Sequence, residues 1–154
     1  MRLLVMSDSH GRDWRVRAAL EAHPEVGAWI HLGDGLREAT RLAEEFPIPL
    51  YAVRGNCDFW QPGIPPESRE EQFGGKRVFF THGHLYGVKY GLYRVTAAAR
   101  EREADILLFG HTHQPMTDYQ EGLHILNPGS IGDDGSYALI DILPAGIMPL
   151  MQRL

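Results

Sequence analysis

Apolar residues fall in short runs along this chain, and each run ends in glycine and polar residues. Leu3-Leu4-Val5-Met6 lies within a strand expected over Arg2–Met6. Ala28–Leu32 and Leu50–Val53 read as two more buried strands. Between them, Asp13–Ala22 fits a helix ended by His23-Pro24, with Trp14, Ala18 and either Val16 or Leu20 turned inward. Leu36–Glu45 fits a second helix, with Leu36, Ala39, Leu42, Ala43 and Phe46 on one side and Pro47 beyond it. Strand, helix, strand, helix, strand is the alternation of a parallel sheet with right-handed crossovers.

The middle of the chain is less regular. Arg54–Pro66 shows no period and contains Pro62, Pro65 and Pro66, which argue against a helix. Glu70–Phe73 and Lys76–Thr81 flank Gly74-Gly75, a two-residue hairpin signal. A Gly- and Tyr-rich loop follows His82. Leu92–Glu103 is rich in good helix formers, and Ile106–Phe109 reads as a strand. Met116–Gln120 and Leu123–Asn127 form a second hairpin about Glu121-Gly122. Pro128–Gly135 reads as a loop and Ser136–Ile142 as a strand. Ile147–Leu154 returns after Pro144-Ala145-Gly146, to cover the core or to form a dimer contact. The expected fold class is α/β: one domain over residues 1–154, with two packed sheets and helices on their outer faces.

Composition narrows the class. A length of 154 residues with 44% hydrophobic content allows one sizeable core. No run is long enough to cross a bilayer. The N-terminus enters a strand at once, without the basic and apolar stretches of a secretory leader. Cys57 is the single cysteine, so no intrachain disulfide is expected, and the cytoplasm is the simplest compartment. A formal net charge of −5 argues against an extended nucleic-acid surface or an anionic membrane as partner. A small phosphoester remains compatible, because bound divalent cations supply positive charge that the sequence sum omits.

The candidate chemistry sits at the strand ends. Asp8 and His10 follow the first strand, and Asp34 lies between Gly33 and Gly35 after the second. Asn56, Cys57 and Asp58 follow the third; His82 and His84, then His111 and His113, follow two more. In an α/β fold such ends gather at one sheet edge, where sites form. Each motif alone has a plain alternative as a helix cap, a tight turn or a solvated histidine. Together they point to a two-metal hydrolytic centre. A carboxylate such as Asp34 can bridge two cations, and Asn56 offers a neutral oxygen among anions. Cys57 reads as a buried small hydrophobe, a site-lining thiol or a ligand, with ligation disfavoured among hard N and O donors. Asp58 reads as a hydrogen-bond partner of a ligand histidine. His82 reads as a ligand and His84 as a substrate-side or supporting group. His23, His31 and His124 lack this context. Asn127-Pro128-Gly129-Ser130 reads equally as a pocket wall and a rigid turn, and Tyr86, Lys89, Tyr90 and Arg94 as substrate contacts or a solvated loop.

In order along the chain, Met6-Ser7-Asp8-Ser9-His10-Gly11, Leu32-Gly33-Asp34, Gly55-Asn56-Cys57-Asp58, Thr81-His82-Gly83-His84, Gly110-His111-Thr112-His113 and Asn127-Pro128-Gly129-Ser130 resemble the motifs of the calcineurin-like metallophosphoesterase superfamily. The closer resemblance is to its small YfcE-type phosphodiesterases. It implies a four-layer αββα sandwich with two mixed β-sheets. It also implies a ligand scheme: Asp8, His10, Asp34 and His113 for one metal, and Asp34, Asn56, His82 and His111 for the other. Larger members often have histidine where this chain has Cys57, while the small subfamily commonly has cysteine. That leaves His84 as the candidate general acid, and a good leaving group needs none. The expected reaction is phosphodiester hydrolysis by a metal-bridging hydroxide, the cations held about 3.5–4 Å apart. The donor set suits Mn²⁺, Fe²⁺, Zn²⁺, Co²⁺ or Ni²⁺, and the resemblance favours Mn²⁺. The rival expectations are a protein-interaction scaffold on the same fold, a phosphomonoesterase and a nuclease. The chain is expected to be a monomer or a small homo-oligomer.

Overall fold

The computed structural model describes all residues from Met1 to Leu154. Its first sheet holds β1 (Arg2–Met6), β2 (Ala28–His31), β3 (Leu50–Ala52), β9 (Ser136–Leu143) and β10 (Gly146–Arg153), in the order β10-β9-β1-β2-β3. The second holds β4 (Ser68–Phe73), β5 (Lys76–Thr81), β6 (Ile106–Leu108), β7 (Met116–Gln120) and β8 (Leu123–Asn127), in the order β4-β5-β6-β8-β7. Each sheet contains a parallel trio, β1-β2-β3 ending at the edge strand β3 in one and the central β5-β6-β8 in the other. Antiparallel strands complete the sheets: the β9-β10 hairpin beside β1 in the first, and β4 and β7 on either side of the trio in the second.

The apolar runs are continuous because both faces of the central strands are covered. In β1, Leu3 and Val5 enter the core between the sheets, with Ile30, Phe80, Leu108 and Leu126. The alternate residues Leu4 and Met6 face α1 (Asp13–Ala22) and α2 (Leu36–Ala43), packing with Val16, Leu20, Trp29 and Leu42. On the far side, Phe79, Leu107 and Ile125 pack against Val95, Ala98 and Ala99 of α3 (Tyr93–Glu101). The layers run helices, sheet, sheet, helix: the four-layer αββα sandwich with two mixed sheets.

Several local expectations change. Trp14 is exposed, and the buried face of α1 is Val16, Ala19 and Leu20. Trp14 lies two residues before Val16, roughly 200° around the helix, so both cannot face the sheet. Pro128–Gly135 contains a single helical turn, α4 (Ile131–Asp134), too short to show a period. Ile147–Leu154 falls mostly in β10, paired along its length with β9, and Ile147 and Leu150 pack against the core. β4 begins at Ser68, two residues before the expected strand start at Glu70, and Arg69 pairs with Glu71 on an edge strand that must resist further strand addition.

The inter-sheet core should carry much of the stability. Phe80→Ala, at a fully buried position of that core, should lower the unfolding free energy by about 3–5 kcal/mol in urea titration.

Candidate metal centre

The carboxyl ends of both parallel trios meet at one edge of the sandwich. The loops there are held in an unusual backbone state. Of seven non-glycine residues with positive φ, five are Asp8, His10, Asp34, His111 and His113, at 55, 45, 58, 69 and 61°. Such left-handed positions cost energy and persist only where surroundings enforce them. Cross-bracing does so here. Asp8 N donates to Gly33 O, His10 N to Asp34 O, and Gly110 N to His82 O. Gly33 and Gly55 let two of these loops touch: a Cβ on Gly33 would overlap Gly55 N, and one on Gly55 would overlap the Asp34 carboxylate.

Two clusters of donor atoms result. In the first, Asp8 Oδ1 lies 3.1 Å from His113 Nε2 and 3.4 Å from His10 Nε2. The two imidazole nitrogens are 3.4 Å apart. In the second, His82 Nε2 lies 3.2 Å from Asp34 Oδ2 and 3.2 Å from His111 Nδ1. Asp34 also joins His10 and the Cys57 thiol in a third grouping of donor atoms within 4.8 Å of one another. Asp34 therefore lies between the clusters, and its Oδ1 accepts from Cys57 N at 2.7 Å.

The tautomers are set by the outer partners. His82 Nδ1 donates to Leu32 O at 2.7 Å, and His113 Nδ1 donates to Asp133 Oδ2 at 2.7 Å. Each neutral ring then turns the lone pair of Nε2 toward a carboxylate oxygen. That contact is repulsive unless a proton or a cation lies between. The donor set, carboxylates and imidazoles around a shared carboxylate, fits divalent cations. Burial opposes charge on His82, yet the hydrogen bond to Asp34 and the field of Asp8 raise its pKa. Burial likewise opposes charge on Asp34, yet His82 and the Cys57 N–H hold it well below the usual carboxylate range. His111 is pulled down to about 4 by burial and by the charges of His82 and Lys89. It is neutral at pH 7 and keeps a lone pair to give.

The remaining expected residues are placed as follows. Asn56 is exposed, its Nδ2 3.5 Å from Cys57 Sγ. Cys57 is exposed and not a core residue, and partial desolvation together with the charge of Asp34 pushes its thiol up. His84 opens a 3₁₀ turn over His84–Tyr86, its ring 5.4 Å from that of His82 and 6.1 Å from that of His111. Its Nδ1 is buried without a partner. Burial and the charge on His82 lower its pKa.

Asp58 departs from expectation. It accepts no histidine N–H; it accepts the backbone N–H groups of Asp34, Gly35, Leu36 and Gly55 at 2.8–3.0 Å. It thus caps α2, whose own N-cap is Gly35, and locks the turn that presents Asp34. The carboxylate that orients a ligand-type histidine is instead Asp133, on α4. Its place in the chain gave no motif to find it by. Asn127-Pro128-Gly129-Ser130 is a brace. Asn127 Nδ2 donates to Gly110 O and Thr112 Oγ1, and Ser130 Oγ donates to Asp8 O. Ser7 donates to Asp8 Oδ2, while Ser9 and the Gly33 N–H meet the two nitrogens of buried His31. These three supports were absent from the sequence expectations. Tyr86 packs edge-on against Phe79, whereas Lys89, Tyr90 and Arg94 are exposed.

Comparison with known proteins gives the family. Residues 1–143 match the calcineurin-like phosphoesterase superfamily domain, and the chain belongs to that family. It is 37% identical to the probable metallophosphoesterase YsnB of Bacillus subtilis, over 85% of this chain and 75% of the relative. It is 30% identical to the phosphodiesterase YfcE of Escherichia coli K12, over 92% of this chain and 88% of the relative. A solved structure from Streptococcus pneumoniae TIGR4, described as a predicted phosphoesterase, superposes with a TM-score of 0.80 at 28% identity, covering 98% of this chain and 97% of that one. The fold is the calcineurin-like phosphoesterase fold, and the family and relatives support a metal-dependent phosphoesterase.

Asp58 gives a stability test independent of catalysis. Asp58→Ala leaves four backbone donors without their acceptor and should cost about 2–3 kcal/mol in urea unfolding. Asp58→Asn, which keeps one oxygen, should cost less.

Proposed function

We propose that this chain hydrolyses small phosphodiesters at a dinuclear metal centre, and that it does so in the cytoplasm. The observation that carries the reading is Asp34: one buried carboxylate within reach of both donor clusters. In this scheme Asp8, His10, Asp34 and His113 hold one cation, and Asp34, Asn56, His82 and His111 hold the other. When bound, such a pair would lower the pKa of a coordinated water and neutralise charge on phosphoryl oxygens. Mn²⁺ is the favoured occupant, with Ni²⁺, Fe²⁺, Co²⁺ and Zn²⁺ compatible with the donors.

The chain's own residues have separate tasks. Asp133 and Leu32 O hold His113 and His82 in the tautomers that leave Nε2 free. The Cys57 backbone N–H fixes the Asp34 carboxylate, while the Cys57 side chain lines the cleft. His84, with an unpartnered Nδ1 and a lowered pKa, is mostly neutral at pH 7. It is suited to donate a hydrogen bond to a departing oxygen more than to transfer a full proton. A scaffold role would not require strained loops or carboxylates buried against imidazoles, and that cost favours catalysis over the interaction reading.

The deciding experiment titrates Mn²⁺ into metal-stripped protein, with metal stoichiometry and hydrolysis of matched diester and monoester substrates recorded together. Two ions per chain and faster diester turnover are expected. Faster monoester turnover would make it a phosphomonoesterase, and no metal uptake would overturn the reading. Asp34→Asn should lose metal and more than about a hundredfold in activity, beyond the loss typical of an outer partner, with its circular dichroism intact. Cys57→Ala should be much milder than His111→Ala, because it keeps the backbone N–H that holds Asp34.

A further inference from the structure

The histidines of the first cluster are not held alike. A ligand-type histidine is normally oriented by a partner on the ring nitrogen that faces away from the ion. His113 has Asp133 for this purpose, as His82 has Leu32 O in the second cluster. His10 has no such partner: the polar neighbours of its ring are Asp8, Asp34 and His113, all donors themselves. Its place is set through its backbone, which stands at φ 45°. Two buried side chains hold that backbone from either side. His31, at the end of β2, is fully buried. Its Nδ1 accepts from Gly33 N at 3.2 Å, so the ring proton is on Nε2, which donates to Ser9 Oγ at 2.9 Å. Gly35 leaves room for this contact: a Cβ there would overlap Ser9 Oγ and the His31 ring. Glu38, buried on α2, accepts from Gly11 N. Ser9 and Gly11 are the two chain neighbours of His10, so both contacts converge on one donor. Neither side chain hydrogen-bonds to the loops that carry Asn56, His82 and His111.

We propose that His31 and Glu38 are positioning residues that hold His10, and so set the affinity of the first metal site without setting that of the second. Neither belongs to a donor cluster. One side chain at position 31 must accept from Gly33 and donate to Ser9 at once, in a place closed to water. A neutral imidazole does both. The inference rests on the dinuclear reading for what His10 binds, and its test separates the two.

The test titrates Mn²⁺ into the metal-stripped full chain and follows it by electron paramagnetic resonance, which distinguishes free from bound ions and an isolated ion from a coupled pair. The native chain should bind two. The amide oxygen of His31→Asn falls near Nδ1 and serves Gly33 only. This variant should weaken one ion by about 10- to 100-fold and leave the other unchanged. The amide nitrogen of His31→Gln falls near Nε2 and reaches Ser9, and this variant should restore the pair. Glu38→Ala should weaken the same ion, while Glu38→Gln, which keeps an oxygen for Gly11, should not. His10→Ala identifies the ion: added to that variant, His31→Asn should cost nothing further. In a native chain that binds two ions, an unchanged His31→Asn, equal weakening of both ions, rescue by Asn in place of Gln, or additive losses with His10→Ala would each overturn the positioning role alone. A native chain that takes up fewer than two ions would overturn the dinuclear reading and this inference with it.

Discussion

The contact between the Asp34 carboxylate and the His82 imidazole is the constraint on which the rest depends. Asp34 leaves β2 of the first sheet and His82 leaves β5 of the second, yet their side chains meet at 3.2 Å and both are buried. The meeting requires the two sheets to pack in one register over a shared core. That core supplies the free energy, and the polar contact at its edge draws on it. Removing one partner would strand a buried charge, a far greater loss than exchanging the pair for apolar side chains.

The same constraint explains the backbone. Loops that point several carboxylates and imidazoles at common points cannot all take relaxed conformations, and the left-handed residues concentrate on the donors themselves. Neighbouring loops then hold one another. The main chain of Asp8 is gripped by Gly33, Gly132 and Ser130 from three directions. Asp58 performs the equivalent service for Asp34 by taking up four backbone donors around one turn. Preorganisation of this kind fixes ligand geometry before any cation arrives.

Much of the fold was legible because its central strands are covered on both faces. A strand such as Leu3-Leu4-Val5-Met6 must be apolar throughout, and a run of that kind stands out between glycine-rich turns. The candidate donors were legible for a related reason: each occurs just beyond such a run, and their repetition at five strand ends outweighs the plain local role each could have alone. What escaped lacks a local signature. The inward face of α1 depends on which side of the helix the sheet covers, so Trp14 was misplaced. Asp133 stands on a one-turn helix and meets His113 across a separation of 20 residues. His31 resembles any strand histidine until Ser9 and Gly33 fold against it.

The sequence by itself determined the strand and helix order, the α/β class and the set of Asp, Asn and His residues available at strand ends, because periodicity and turn chemistry act over a few residues. Only the tertiary structure decided which donors face one another, which tautomers they keep, and that Asp58 braces a turn while Asp133 orients a histidine. Those outcomes depend on distances between residues far apart in the chain, and these are set by how two twisted sheets pack against a common core.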